Sequence, residues 1–434
     1  MTRFVHSLIA TTLLCMATSF ALDADPLARP GGWATGTVGG IGGSIDTASD
    51  SASLATALAK PLPRIVFVKG TVTGVFNVSV GNRSVLGLPG AVLRGNLNIV
   101  GTSAAIVRNV IVRNLTILPS GTCTGDFGVG TCEDKDAAVR VSYARGVWLD
   151  HLTLTDGLYS NLDIVHGSDS LTLSWIRQSY TRTDTSHQFA NLIGASDRNG
   201  AEDSLRLRFT WHHSLWGDNI RERMPRVRFS NAHLYGNVFR SSRANYCIRA
   251  AWRSDLLVEA NVFTGTQSPL DIYDTNARAQ SRFNLFASVT GDTAGNGIAT
   301  APPYAYALDT ATACTAPAGV SVCDPFSGLR SMASAVSNAA TGAGANLTWT
   351  VLPVGLLSTS RTGALRTIHL AGGTRLVNEG TQRQILSLTT VSGRTILPAT
   401  ALEPGAWLTL PQPHGLSLLH QRSEESEGTR LLGP

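Results

Sequence analysis

The sequence predicts an all-β protein whose short strands stack as a right-handed, single-stranded parallel β-helix. From about residue 64, runs of Val, Ile, Leu and Thr alternate with turns of Asn, Asp, Gly and Ser. The near-identical segments Asn237-Val238-Phe239 and Asn261-Val262-Phe263 begin 24 positions apart, and His213 lies 24 positions before the first. A constant step of this size is typical of stacked coils, because one coil cannot bury its own apolar face.

Two other repetitive or all-β folds fit this pattern less well. A leucine-rich horseshoe has a similar period, but the leucine-asparagine spacing that it requires is absent. A β-sandwich would not give a constant 24-residue step. In stacked coils, Asn237 and Asn261 occupy equivalent turn positions, so we expect them to form a hydrogen-bonding ladder with a structural role.

The chain is expected to divide into three segments. Residues 1–21 combine an early Arg3, an apolar run and the small-residue pattern Ser19-Phe20-Ala21, which is typical of a secretory signal cleaved after Ala21. The apolar run is shorter than the roughly 20 residues that a spanning helix needs. Residues 22–300 are expected to form the β-helix. Residues 301–434 are expected to be a C-terminal extension with further coils, loops and a polar tail.

The composition indicates a secreted, extracellular protein that binds an acidic partner. The formal net charge of +5 favours attraction to polyanions. The chain contains no Lys/Arg tract and no nucleic-acid-binding motif of the usual kinds, so we expect no nucleic acid partner. An acidic polysaccharide fits both the charge and export. We expect a monomer with no membrane partner.

The cysteines predict two local disulfides. Cys123 and Cys132 are nine positions apart, as are Cys314 and Cys323. In an oxidising compartment each pair is expected to form a bond, leaving Cys247 as a buried free thiol. Mass mapping under non-reducing conditions is expected to recover these two pairs. A bond between Cys247 and any of the other four would contradict this prediction.

The densest cluster of chemically active residues is basic. Arg221, Arg223, Arg226 and Arg228 lie within eight residues around a proline, in a β pattern. Side chains alternate along a strand, so Arg226 and Arg228 are expected to point the same way. Charge runs of this kind are often solvated edges. The functional alternative is a substrate clamp, because guanidinium groups bind carboxylates through two parallel hydrogen bonds.

A second cluster is acidic and indicates a possible metal site. Asp156, Asp163 and Asp169 lie close together in the sequence, with Asp134 and Asp136 just upstream. Carboxylates that converge from several coils could hold Ca²⁺, which prefers several oxygen ligands. The alternative role is turn capping, which is common for Asp-Gly pairs such as Asp156-Gly157.

Six ordered motifs over about residues 31–265 resemble the pectate/pectin lyase family, polysaccharide lyase family one. Each motif alone is weak evidence for this family, whereas six motifs in the same order over half the chain are strong evidence. They are Trp148-Leu149-Asp150-His151; Asp156-Gly157-Leu158 with Leu162-Asp163-Ile164; Gly167-Ser168-Asp169-Ser170-Leu171-Thr172-Leu173-Ser174; Leu192-Ile193-Gly194-Ala195-Ser196-Asp197; His212-His213 with Arg223-Met224-Pro225-Arg226-Val227-Arg228-Phe229; and His233-Leu234-Tyr235-Gly236-Asn237.

The resemblance implies a calcium-dependent cleft on one face of the β-helix, in which polygalacturonate is cleaved by β-elimination to 4,5-unsaturated oligogalacturonides. By position, Arg223 is the base that removes the C5 proton, and Arg228 binds a substrate carboxylate, with Arg226 beside it. Asp156 and Asp163 are the expected calcium ligands, and Asp136 joins them only if a bulge turns its side chain to the same face. The reference pKa of arginine is above 12, so such a base must be crowded by other cations and kept from water.

Three departures from the family pattern affect substrate and metal binding. Phe189 stands where the family has a substrate-binding lysine. Ala137 stands where an upstream calcium aspartate is expected, and Asp136, one position away, would face the other side unless a bulge intervenes. The insertion Tyr159-Ser160-Asn161 separates the two halves of the second motif.

These departures leave two alternatives to a calcium-dependent pectate lyase. One is a calcium-independent lyase acting on methyl-esterified pectin or another uronan. The other is a non-catalytic carbohydrate-binding β-helix protein, because a fold does not fix a function. Retention of Arg223 and Arg228 argues against the second alternative.

Overall fold

The computed structural model describes most of the first 308 residues and shorter segments beyond them. The described residues are 22–24, 28–61, 63–119, 136–183, 187–308, 342–349, 365–370, 373–378, 384–390, 395–404, 406–410, 417–422 and 427–432. The predicted signal, residues 1–21, and the four cysteines predicted to form disulfides lie outside these ranges. Cys247 is described as a buried free cysteine, as expected, and burial raises the pKa of its thiol to about 12.

The strands of the first 300 residues stack in parallel as a β-helix, which confirms the predicted fold. Three faces, named A, B and C here, follow one another around each coil. The strands of face A are Val139–Ser142, Leu162–Val165, Asn191–Ile193, Arg226–Val227, Ile248–Ala250 and Leu270–Ile272. Those of face B are Ser44–Ala48, Arg64–Val68, Arg83–Gly87, Val107–Arg113, Ala144–Asp150, Asp169–Ser174, Phe209–His212, Asn231–Tyr235, Asp255–Glu259 and Arg278–Arg282.

Face C joins face A through one long strand near the start of the stack. Val92–Val100 pairs with the first strand of face A, with the first strand of face C and with Thr71–Val78. The strands of face C are Thr116–Leu118, Thr153–Thr155, Arg177–Ser179, Leu215–Trp216, Val238–Phe239, Val262–Thr264 and Leu285–Ala287.

Equivalent side chains of successive coils form ladders inside the stack. The rings of Trp216, Phe239 and Phe263 are stacked, with centroids 4.6 and 4.4 Å apart. At the preceding corner, Asn237 Nδ2 donates to Asn261 Oδ1 at 3.0 Å, and Asn261 Nδ2 donates to Asn284 Oδ1 at 3.0 Å. The predicted asparagine ladder is therefore present. These interactions between coils keep the face strands in register.

The helices of the described chain are short. The α-helix Ser51–Ala59 packs against Thr71–Val78 and begins with a capping box, because Asp50 accepts from the Ser53 amide while Ser53 reaches back to the Asp50 amide. The others are the 3-10 helix Gly32–Ala34 and the α-helix Gly200–Asp203. None of the helices that the structure describes has the length and apolar character needed to cross a membrane.

Residues 31–40, named the N-terminal strap here, run across the outside of face B. Hydroxyl and amide side chains that project from the face B strands hold the strap through its backbone. The amides of Trp33 and Ala34 donate to the side chains of Thr210 and Thr172, each at 3.1 Å. Further along, Asn109 Oδ1 accepts from Val38 and Gly39 at 2.7 Å, and Ser84 Oγ accepts from Gly40 at 3.0 Å.

The described strands of the C-terminal extension correct one expectation. Leu347–Trp349 pairs in parallel with Leu22–Ala24, but all later strand pairs are antiparallel. Coils of a β-helix pair in parallel, so the expectation of further coils is wrong for these strands. They are Leu365–Leu370, Gly373–Asn378, Gln384–Thr390, Thr395–Leu402, Trp407–Leu410, Ser417–Arg422 and Glu427–Leu432.

Candidate active site

One row of side chains runs along the outside of face A, at right angles to the strands. Strand register aligns its members, while the flanking positions Leu162 and Ile164 belong to the core. Because paired strands lie about 4.8 Å apart, each member is one coil from the next. The row consists of Asn98, Arg140, Asp163, Leu192, Arg226, Arg249 and Asp271.

Arg223 lies at the corner where the chain enters face A, beside this row. Its backbone has a φ of 61°, a left-handed conformation that costs a non-glycine residue of order 1 kcal/mol and is held by the surrounding structure. The side chain is 7% exposed. Its guanidinium carbon lies 4.4 Å from the centre of the Phe189 ring and 5.8 Å from that of Tyr159. Aromatic rings therefore shield the candidate base from solvent.

His187 completes this aromatic enclosure. Its ring centre lies 4.2 Å from that of Phe189 and 5.5 Å from that of Tyr159, and Nε2 donates to the Tyr159 carbonyl at 2.9 Å. Burial and the nearby charge of Arg223 lower the pKa of His187 to about 4. The imidazole is therefore neutral above that pH and adds no charge beside Arg223.

Arg226 presents a guanidinium that lacks some of its hydrogen bonds. Burial lowers its pKa, as do the charges of Arg228, Arg223 and Arg249 around it. Its Nε is buried and has no hydrogen-bond partner in the part of the chain that the structure describes. Buried polar groups normally have partners, so this position favours an incoming anion.

Arg228 is held by bonds within the protein, whereas the resemblance implies that it binds substrate. Its Nε donates to Asp197, its Nη1 donates to the Gly194 carbonyl at 2.9 Å, and the side chain is 9% exposed. Gly194 has a φ of 81°, and a Cβ there would lie 2.9 Å from Arg228 Cβ, so glycine is required for this approach. Nη2 takes part in neither of these two bonds. Binding of a substrate carboxylate by Arg228 therefore stays a prediction.

Sequence reasoning missed four residues at the far end of the row. The guanidinium carbon of Arg249 lies 3.6 Å from the centre of the Tyr246 ring and 4.5 Å from that of Tyr273, and its Nε donates to Asp271. Tyr273 is 59% exposed. Arg249 follows Arg226 by 23 positions and Asp271 follows Arg249 by 22, so the coil period could have identified both.

The three aspartates expected to bind calcium are not brought together. Among the described residues, no three His, Cys, Asp or Glu side chains are placed to hold a metal ion. Asp156 instead caps a turn, because its carboxylate accepts from the amide and hydroxyl of Thr181. Asp163 is fully buried, accepts from the Leu192 amide at 3.0 Å and is in register with Arg140. These residues do not fit a calcium ion.

Asp136 and Ala137 add to this mismatch. The backbone carbonyl of Asp136 accepts a hydrogen bond from the Tyr159 amide, so the inserted tyrosine lies next to Asp136. Ala137, at the position where a ligand is expected, is fully buried. A guanidinium next to Asp163, as the register places Arg140, also opposes a divalent cation by charge.

The Trp148-Leu149-Asp150-His151 motif lies away from face A, at the end of a face B strand. Asp150 is buried and accepts from Arg113 Nε at 2.8 Å and Ser174 Oγ at 2.6 Å, and it bonds His151 Nδ1 at 2.8 Å. Ser174 also accepts from Trp148 Nε1 at 2.9 Å. Every polar member of the motif thus contributes to one buried network.

Comparisons with known proteins agree with this architecture. A family model described as pectate lyase matches residues 1–322. Pectate lyase B of Colletotrichum gloeosporioides is 30% identical over 288 residues, which cover 64% of this chain and 80% of that protein. Pectate lyase E of Dickeya chrysanthemi is 30% identical over 313 residues, covering 59% of this chain and 74% of that protein.

Solved structures share the fold. A pectate lyase from Bacillus sp. N165, in complex with trigalacturonate, has a TM-score of 0.51 and 20% identity, and the match covers 70% of this chain and 97% of that one. A pectate lyase described for its substrate specificity and anti β-elimination mechanism has a TM-score of 0.53 and 19% identity, covering 74% and 99%. The chain belongs to the pectate lyase family. It is therefore an enzyme of the lyase class, as the motifs predicted.

Proposed function

We propose that the protein cleaves polygalacturonate by β-elimination on face A, with Arg223 as the base. The observation that carries this proposal is the position of Arg223, shielded by Tyr159 and Phe189 and next to the cationic part of the face A row. Family membership supports the same reaction.

The reaction removes the C5 proton of a galacturonate, which is α to its carboxylate. The C5–H electron pair forms the C4–C5 double bond, and the bond from C4 to the glycosidic oxygen breaks. The leaving oxygen takes a proton and becomes the hydroxyl of the released sugar. Proton removal places additional negative charge on the carboxylate, so cations at that carboxylate stabilise the transition state more than the ground state.

Arg226 and Arg249 are the residues that we assign to these carboxylates. They are register partners on adjacent strands, about 4.8 Å apart. The exposed ring of Tyr273 has its centre 5.3 Å from the guanidinium carbon of Arg226 and 4.5 Å from that of Arg249. Aromatic rings and planar guanidinium groups are suited to acidic sugars, which have an apolar face and a carboxylate. Arg228 is assigned to the same carboxylates through Nη2.

A second candidate is a calcium-independent lyase that acts on methyl-esterified pectin or another uronan. The observation that favours it is the mismatch between Asp136, Asp156, Asp163 and a metal ion. Phe189, in place of a lysine, also makes the enclosure less cationic and better suited to a neutral ester group.

The test is the appearance of unsaturated, ultraviolet-absorbing oligosaccharides. We expect them from polygalacturonate, and comparison with methyl-esterified pectin and with other uronans, each with and without chelator, separates the two candidates. New reducing ends that appear without any product absorbing ultraviolet light would indicate hydrolysis and would contradict β-elimination. No product from any uronan would favour a non-catalytic carbohydrate-binding protein.

Calcium is expected to bind weakly to the free enzyme. The carboxylates that would hold it are engaged elsewhere or separated, and calcium affinity follows the number and charge of the ligands. Isothermal titration calorimetry is expected to give a dissociation constant of about 10⁻³ M or weaker, at the weak end of protein calcium sites. Binding in the micromolar range would contradict this prediction.

We further propose that the enzyme is secreted as a monomer. Residues 1–21 would be removed as the signal, residues 22–300 would form the catalytic β-helix, and residues 301–434 would form the extension. Its substrate would be the acidic polysaccharide of plant cell walls. N-terminal sequencing of the exported protein and its mass in solution test these proposals.

A further inference from the structure

A cavity of about 480 Å³ lies between the N-terminal strap and face B, and no part of the proposed reaction uses it. Its volume is in the range of sites that bind small ligands, roughly 300–1,000 Å³. Arg108 and Arg145 line it on the side of face B, and Trp33 and Thr37 line it on the side of the strap. We name it the strap groove.

Arg108 and Arg145 bring two like charges together. They are register partners on neighbouring strands of face B, about 4.8 Å apart, and like charges directly opposite each other are destabilising. Within the described chain neither forms an ion pair, and Nε of Arg145 is buried without a hydrogen-bond partner. The protein itself therefore does not neutralise this pair.

The carboxylate in register with Arg145 is already engaged. Asp169 is the register partner of Arg145 on the next strand, but Oδ1 accepts from Arg208 Nε at 2.8 Å and Oδ2 accepts from Arg208 Nη2. The guanidinium of Arg208 in turn lies 4.8 Å from the centre of the Trp33 ring. Asp169 thus fixes the aromatic wall of the groove and leaves Arg108 and Arg145 to bind another anion.

The groove continues beyond this cavity. A second cavity of about 340 Å³ shares Arg145 and is lined also by Tyr143 and Arg206. Arg145 therefore faces both cavities, so an extended ligand can pass it. The strap is fixed over the groove, because its backbone donates to Thr172 on one side of this position and to Asn109 on the other.

We propose that the strap groove is a second binding site for a uronate chain, separate from face A. Its paired guanidinium groups fit the carboxylate of an acidic sugar, and Trp33 offers an aromatic contact. The identity of the ligand rests on the proposed function. Arg145 lies three coils before the coil of Arg223, about 14 Å along the stack, so a long substrate can contact both places.

The experiment measures trigalacturonate binding to the Arg223→Lys variant by calorimetry, so that the probe is not cleaved. We expect two sites per chain. Adding Arg108→Gln and Arg145→Gln is expected to weaken one site by at least about tenfold, as for the loss of charge-assisted hydrogen bonds, and to leave the other unchanged. The matched control, Arg94→Gln with Arg253→Gln, removes two exposed charges elsewhere and is expected to keep both sites.

Two results would overturn the proposal: trigalacturonate binding that the groove substitutions leave unchanged, or an equal loss of binding in the control. Displacement of trigalacturonate from the groove by inorganic phosphate at equal concentration would also overturn it, because the site would then accept any anion. If the double variant fails to fold, as judged by circular dichroism, Arg108→Gln alone, at an exposed position, decides by the same criterion.

Enzyme activity separates this proposal from the proposed function. With Arg223 intact, the groove substitutions are expected to leave kcat on trigalacturonate unchanged and to raise KM for polygalacturonate. Absence of unsaturated products from the wild type would overturn the lyase reaction, while binding at the groove would still be measured independently. An unchanged KM for the polymer would contradict a role of the groove in substrate binding.

Discussion

Replacement of Arg223 by lysine is expected to reduce formation of unsaturated products by about 10²–10⁴-fold, the usual contribution of a proton-transfer group. Lysine keeps the positive charge but lacks the planar group that lies over Phe189 and Tyr159, so no nitrogen is positioned beside C5. Initial rates on polygalacturonate, followed by ultraviolet absorbance, measure the loss. Circular dichroism and the melting temperature are expected to stay close to those of the wild type, because stacked apolar ladders stabilise the coils.

Two further substitutions test this assignment. Arg253→Lys is a matched control, because Arg253 is an exposed arginine that also lies over an aromatic ring, that of Trp252. It is expected to retain full activity. Near-native activity of Arg223→Lys, or far greater damage from Arg228→Lys, would show that another residue is the base. Unfolding of Arg223→Lys would indicate that Arg223 has a structural role at the strand edge.

Replacement of Asp150 by alanine is expected to lower the free energy of unfolding by about 3–5 kcal/mol, the cost of breaking a buried ion pair. Asp150 and Arg113 have side-chain exposures of 2% and 5%. Removing the carboxylate leaves the Arg113 guanidinium buried without it, and Ser174 and His151 lose the same acceptor. Urea denaturation followed by circular dichroism measures the difference.

A control and a pH series sharpen this prediction. Arg278 pairs with Asp255 and is half-exposed, so Arg278→Gln is expected to change stability by less than about 1 kcal/mol.

Burial raises the pKa of Asp150. The charges of Arg113 and His151 and the hydrogen bonds from His151 and Ser174 outweigh this effect and hold the pKa below its usual range. The unfolded chain then binds the proton first as pH falls, so the contribution of Asp150 is complete above about pH 5 and declines below it. A constant difference between wild type and variant down to pH 2 would contradict this account.

The parts of the fold that repeat could be predicted from the sequence. The step from Asn237 to Asn261 is a direct consequence of stacking, because each coil returns the same residue to the same corner. The antiparallel strands after residue 349 could not be predicted in this way, since their pairing does not depend on a repeat. Sequence reasoning therefore identified the β-helix, but its expectation of further coils in the C-terminal extension is wrong for the described antiparallel strands.

The candidate site was predictable in its residues and less so in their partners. The motif gave Arg223, Arg226 and Arg228, but the bonds from Arg228 to Gly194 and Asp197 depend on how a loop 31 to 34 positions away folds back. Asp156 shows the same limit. An Asp-Gly pair can cap a turn or bind a metal, and the choice depends on Thr181, which belongs to the next coil.

The N-terminal strap has a consequence for how the molecule denatures. In a stack where each coil touches only its neighbours, end coils can fray one at a time. The strap joins strands that are not adjacent, from the one containing Ser84 to the one containing Thr210, through side-chain bonds to its backbone. A coil between these strands cannot open without releasing the bonds of several others. The middle of the stack should therefore exchange its amide hydrogens as one cooperative unit, more slowly than the coils after residue 250.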